Sequence, residues 1–204
     1  MSFVPLMIDV TDRQIVIVGG GKIAERRVYA LIDKGAVLKI ISPTLSDSLL
    51  SLWNEGRIAW EKRPFEEDDI NHASLIIAAT NDRKVNDSIK TIAPKDSLLN
   101  MTGEARQGNV IFPSTMNRGR LTISVSTGGA SPMLASKILK NLESEYDNRY
   151  ESYIDFLHEC RKLLKRSNIG QDEKNKMLKH ILDEKYMDTE KQLETVEWLK
   201  EEYE

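Results

Sequence analysis

Gly19-Gly20-Gly21-Lys22-Ile23-Ala24 is the stretch whose residue types and spacing point most directly to chemistry. It fits the G-x-G-x-x-[GA] pattern in which a strand hands over to a helix around a diphosphate. Gly19 permits the tight turn. Gly21 lets the main chain approach the anion with no side chain between, and Ala24 lets the helix pack closely on the strand. The free amides at the helix start, with Lys22 and Ile23 in its first turn, then face the anion with the helix dipole behind them. By itself a glycine turn merely ends a strand, so the neighbouring elements decide what this one does.

Those elements read as an alternation. Gln14-Ile15-Val16-Ile17-Val18 is a short β-branched run. From Lys22 the apolar period changes, and Ile23, Arg26, Arg27, Ala30 and Leu31 mark a helix that stops at Gly35. A second apolar run, 37–41, closes in Ser42-Pro43. A helix over 46–55, a weaker strand near 58–61, a strong buried strand over 74–79, a helix over 83–93 and a strand over 97–100 complete the series. Continuous apolar strands separated by helices indicate a parallel sheet covered on both faces. The expected fold class is α/β: a Rossmann-like parallel sheet domain, then a small α+β region, then a helical C-terminal region.

In such a sheet an Asp or Glu about 20 residues past the glycine turn binds the adenosine ribose. Here that place reads Ile40-Ile41-Ser42-Pro43-Thr44, with no carboxylate. Ser42, Pro43 and Thr44 offer hydroxyl and main-chain groups instead, and Lys22 leaves a 2′-phosphate open. The spacing supports a nicotinamide dinucleotide without choosing between NAD and NADP. Thr80, after the fourth strand, would line the same crevice, while Asn81 or Asp82 would equally serve as a helix cap.

Beyond residue 108 the pattern changes. The segments 109–113 and 120–126 read as extended, separated by Asn117-Arg118-Gly119, and are too close together for a crossover helix. An antiparallel pair is expected. From Ser131 the chain reads as helical, interrupted near Ser167-Asn168-Ile169-Gly170, with alternating charges that suit a solvated face. Ser126-Thr127-Gly128-Gly129-Ala130-Ser131-Pro132 can expose backbone amides to an anion, or simply cap a helix that starts at Pro132.

Composition narrows the function classes. Across 204 residues, 29 basic and 32 acidic side chains leave a net charge of -3, which gives no pull toward nucleic acid. Cys160 stands alone, so neither an internal disulfide nor a cysteine-rich zinc site is expected. His72, His158 and His180 are widely spaced and read as structural or surface residues; no metal site is expected. With neither a signal-like start nor an apolar run of spanning length, a cytoplasmic protein without membrane contact is the expectation.

Several of these motifs together resemble the precorrin-2 dehydrogenase family of siroheme synthesis. The likeness runs through Ile17 to Arg27, Ala78-Ala79-Thr80-Asn81-Asp82, Val85-Asn86, Ile111-Phe112-Pro113-Ser114 and Ser126 to Pro132. It implies a domain plan of 1–108 for NAD binding, 109–146 for dimerisation and the substrate cleft, and 147–204 as a helical region. It further implies NAD as cofactor, precorrin-2 as substrate, sirohydrochlorin as product, and a homodimer. Thr127, Gly128, Gly129, Ser131 and Arg118 become candidate ligands for the carboxylates of precorrin-2, with Arg120, Lys137 and Lys140 as further cations nearby in sequence. Some relatives also insert iron or cobalt, using an Asp three positions after an Asn. In Asn100-Met101-Thr102-Gly103-Glu104 that position is Gly103, so dehydrogenation without metal insertion is the expectation. The proton acceptor is a carboxylate such as Glu104 or simply water. A bifunctional dehydrogenase and ferrochelatase is the alternative, and an NAD-sensing regulatory module is the alternative of another class.

Overall fold

A computed structural model describes residues 3–203. Two compact units divide the chain between Phe112 and Pro113. The first is built on a sheet of five parallel strands in the order β3-β2-β1-β4-β5. They are β1 (Gln14–Val18), β2 (Val37–Ile41), β3 (Ala59–Glu61), β4 (Leu75–Ala78) and β5 (Leu98–Met101). After β3 the chain crosses to the other side of β1, which places the topological switch point between β1 and β4.

Alternation along the central strands explains the layers. Ile15 and Ile17 of β1 face α1 (Lys22–Leu31) and α2 (Asp47–Asn54), where Ala24, Val28, Leu31, Leu49 and Leu52 close the core. Val16 and Val18 face the opposite way, where Ile70, Ile76 of β4 and Ile89 of α3 (Arg83–Ile92) close a second core. Ile15, Ile17, Ile76, Ile77 and Ile89 are fully buried. Each stabilises the unit by roughly 1.5–3 kcal/mol relative to an exposed side chain. The continuous apolar strands read in the sequence therefore mean what a two-sided sheet requires.

One extended segment lies later than expected. Residues 109–113 form no strand; the Asn109 side chain occupies the edge of β5 instead. Its Oδ1 accepts from the Leu99 amide at 2.6 Å and its Nδ2 donates to the Ser97 carbonyl at 2.9 Å. A side-chain amide that satisfies both main-chain groups stands in for a ladder partner. Pairing resumes in the second unit with β6 (Ser114–Arg118) antiparallel to β7 (Leu121–Val125), a hairpin whose turn contains left-handed Gly119 at φ 53°.

The rest of the second unit is helical: α4 (Pro132–Glu145), α5 (Arg149–Arg166), α6 (Gln171–His180) and α7 (Thr189–Tyr203). Tyr153, Phe156, Cys160, Leu163 and Leu164 recur at helical spacing along α5 and pack on Ile181, Tyr186 and Leu199. Two buried polar groups are satisfied there, Tyr153 Oη donating to the Ile181 carbonyl and Gln192 Nε2 to that of Tyr186. Burial pushes the Cys160 thiol up to about 12 and makes it a packing residue, not a nucleophile. Among the described residues no helix is long and apolar enough to cross a membrane.

Candidate functional site

Parallel pairing aligns the carboxyl ends of the strands, with Val18 opposite both Ile41 and Ala78, and Ala78 opposite Met101. The residues that follow these ends therefore share one edge of the first unit. Gly19 follows β1 at φ 118°, and a Cβ there would run into the carbonyl of Ala79. A Cβ on Gly20 would run into the carbonyl of Thr44 and crowd Ser42 Oγ. Both glycines are dictated by neighbouring main chain.

Gly21 differs. It is the N-cap of α1 with ordinary extended φ of -94°, and nothing lies within 4 Å of the place its Cβ would take. The first-turn amides have no intrahelical partner, and no side chain caps the helix in their place. Lys22 and Ile23 are exposed beside them. An uncapped helix start of this kind carries the partial positive charge that suits a diphosphate.

After β2, Ser42 is buried and its carbonyl accepts from Trp60 Nε1 at 2.9 Å, while Pro43 and Thr44 are exposed. Ser46 ties this loop to the glycine turn, its amide donating to the Gly20 carbonyl at 2.8 Å. Its hydroxyl donates to Glu25 Oε2 at 2.8 Å. Glu25 was missed by sequence reasoning because its partner lies 21 residues away.

After β4 the Thr80 side chain is engaged by its own loop. Its hydroxyl bonds Asn86 Oδ1 at 3.0 Å and accepts from the Asp82 amide, and Asn86 Nδ2 donates to the Thr80 carbonyl at 3.0 Å. Asp82, not Asn81, caps α3 by accepting from the amides of Lys84 and Val85. What Thr80 presents to Gly19 is main chain. After β5, the Thr102 hydroxyl donates to the Ala78 carbonyl at 2.8 Å, and Gly103 and Glu104 are exposed. Gln107 Nε2 donates to Glu104 Oε2.

In the second unit, Gly128 and Gly129 are left-handed at φ 60° and 85°, with open space where a Cβ would lie. Thr127 Oγ1 accepts from the Ser131 amide at 3.0 Å, and Ser131 Oγ caps α4 by accepting from the Leu134 amide at 3.2 Å. The helix-cap reading describes this segment; of its amides, those of Gly128, Ala130 and Ser131 donate to Ser126 Oγ, the Thr127 carbonyl and Thr127 Oγ1. Arg118 Nη1 donates to the Asn117 carbonyl, while its buried Nε has no partner among the described residues. Arg120 pairs with Asp155 at 3.0 Å. Among the described residues no three His, Cys, Asp or Glu side chains are grouped to hold a metal ion.

A family model for NAD(P) binding matches residues 6–114. A model for the central part of sirohaem biosynthesis proteins matches 118–145, and one for the SirC C-terminal domain matches 150–195. Precorrin-2 dehydrogenase of Priestia megaterium is 36% identical over 181 residues, spanning 89% of this chain and 90% of the relative. The chain belongs to the precorrin-2 dehydrogenase family. Its counterpart in Bacillus subtilis (strain 168) is 37% identical over 158 residues, 98% of that protein. Siroheme synthase of Actinobacillus pleuropneumoniae serotype 3 (strain JL03) is 34% identical over 145 residues, only 30% of that longer chain. A solved structure described as SirC, precorrin-2 dehydrogenase, superposes with a TM-score of 0.85 at 34% identity, covering 98% of this chain and all of that one. The resemblance and fold class read from the motifs are borne out, and the cofactor class is a nicotinamide dinucleotide.

Proposed function

We propose that this chain is a cytoplasmic, homodimeric enzyme that dehydrogenates precorrin-2 to sirohydrochlorin, with NAD rather than NADP as oxidant. The observation that carries the reading is the uncapped start of α1 at Gly21, open where a side chain would stand, in a chain of this family. A bound nicotinamide dinucleotide supplies the hydride acceptor; the protein contributes binding, orientation and exclusion of water.

In this reading the amides of Gly20, Gly21, Lys22 and Ile23 hold the diphosphate, Gly19, whose amide donates to the Ile41 carbonyl at 2.9 Å, shapes the turn, and Ser42, Pro43, Thr44 and the Thr80 main chain line the crevice. Substrate carboxylates meet the Gly129 amide, the Thr127 and Ser131 hydroxyls and the Arg118 guanidinium, while Gly128, its amide bonded to Ser126 Oγ, shapes the turn. As hydride leaves the macrocycle, a proton must leave too, and exposed Glu104, held by Gln107, receives it. Gly103, which carries no carboxylate, is the reason metal insertion is left out. Exposed Met133, Leu134 and Ile138 on α4 supply apolar surface for a second copy.

Anaerobic precorrin-2 mixed with the protein and either dinucleotide tests this. Spectral conversion with NAD, and a kcat roughly a hundredfold lower for Glu104→Gln, are expected. Conversion without any dinucleotide, or none with either form, contradicts it.

A further inference from the structure

We infer that Glu25 is the residue that sets the cofactor preference, by holding an unneutralised carboxylate at the adenosine end of the crevice. The inference rests on the dinucleotide reading of that crevice. In a doubly wound sheet the discriminating acid comes from the end of β2, where it accepts from ribose hydroxyls and repels a 2′-phosphate. This chain has Ser42-Pro43-Thr44 there, and none of these can carry charge. The acid arrives from the other side. Glu25 stands in the first turn of α1, just past the glycines, and its Oε2 accepts from Ser46 Oγ at 2.8 Å.

Ser46 is the N-cap of α2, and its amide is bound to the Gly20 carbonyl. One residue thus ties together the glycine turn, the loop after β2 and the Glu25 carboxylate. The partner of Glu25 is a hydroxyl, not a cation, so the negative charge stays available to act on a ligand. Asp47, exposed in the first turn of α2, adds a second carboxylate nearby in the chain. A ribose with a free 2′-hydroxyl meets an acceptor here, whereas a 2′-phosphate meets repulsion in a half-buried setting where water screens poorly. Lys22 and Lys62 are the cations nearest in sequence to the glycine turn and the end of β3, and Lys62 lies over the Trp60 ring at 5.5 Å.

Calorimetric titration of the wild-type chain and of Glu25→Gln with NAD and with NADP decides the matter. Glutamine keeps the size and the hydrogen bond to Ser46 but removes the charge. The wild type should prefer NAD, and the ratio of the two affinities should move toward NADP by roughly tenfold or more in Glu25→Gln. In the wild type the same ratio should shrink as salt rises from about 20 to about 300 mM, a readout that needs no variant. An affinity ratio unchanged by both the substitution and salt overturns the inference, as does equal weakening of both ligands. Wild-type protein that takes NADP as well as NAD overturns it while leaving the crevice reading intact. Binding of neither ligand sinks that reading itself.

Discussion

Two glycine turns in this chain each carry a strand into a helix, and they do so for different physical reasons. At Gly19 and Gly20 the constraint comes from neighbours: any Cβ would strike the carbonyls of Ala79 or Thr44. At Gly128 and Gly129 nothing is near, and only the left-handed backbone asks for glycine. The first turn is a packed cradle fastened to the strands on either side of β1. The second is a loop whose geometry is held by Thr127, Ser131 and backbone handedness, with space left around it. Recognition of an unvarying diphosphate suits the first kind of site. A large flexible polycarboxylate suits the second.

Substitutions should separate the two turns by size of effect. Gly20→Ala forces main chain apart and should cost about 3 kcal/mol, with cofactor affinity lost alongside, as seen by thermal melting and calorimetry. Gly128→Ala meets no atom, so only the left-handed penalty of roughly 1–2 kcal/mol should appear, with the KM for precorrin-2 rising more than the KM for NAD. Equal losses at both turns would erase the distinction. Ser131→Ala, which removes one cap, should cost about 1 kcal/mol in a urea melt and leave the first turn untouched.

A part-buried ion pair in the sheet unit and a buried thiol in the helical unit should also respond to opposite ends of the pH scale. Arg63 donates to Asp69 at 2.6 and 2.9 Å and holds its carboxyl below the usual carboxylate range despite burial. The unfolded chain then takes up that proton first. The contribution is present above about pH 4 and fades as pH falls through the lowered folded value. Cys160 has the reverse sign: burial raises its thiol to about 12, so its contribution is whole below about pH 9 and fades as pH climbs toward 12. Hydrogen exchange against pH should show the sheet unit loosening first in acid, with the acid effect reduced in Asp69→Asn. The helical unit should loosen in alkali, with that effect reduced in Cys160→Ala; burial also raises Tyr153, which accounts for the remainder.

Much of the sheet was legible because each of its signals is local. A β-branched run, three glycines and a change of period sit within eighteen residues or so of one another and report the strand, the turn and the helix together. The capping of α4 by Ser131 was equally local. What stayed hidden depends on partners far along the chain. The amide of Asn109 replaces a strand partner at Leu99, which is why an extended segment forms no strand. Glu25 is brought to Ser46 across 21 residues. Thr80 looked available to a ligand, but Asn86 and Asp82 occupy its hydroxyl. Motifs announce which residue types are present, whereas tertiary contacts decide which of their atoms remain free.

Gly21 offers the most direct test of the diphosphate cradle, because its Cβ position is empty and its φ of -94° suits any residue. Calorimetry with NAD should give a saturable heat for the wild type and none for Gly21→Val, while the two proteins melt within a few degrees of each other. Undiminished NAD binding by a folded Gly21→Val protein would contradict the cradle and the dehydrogenase built on it.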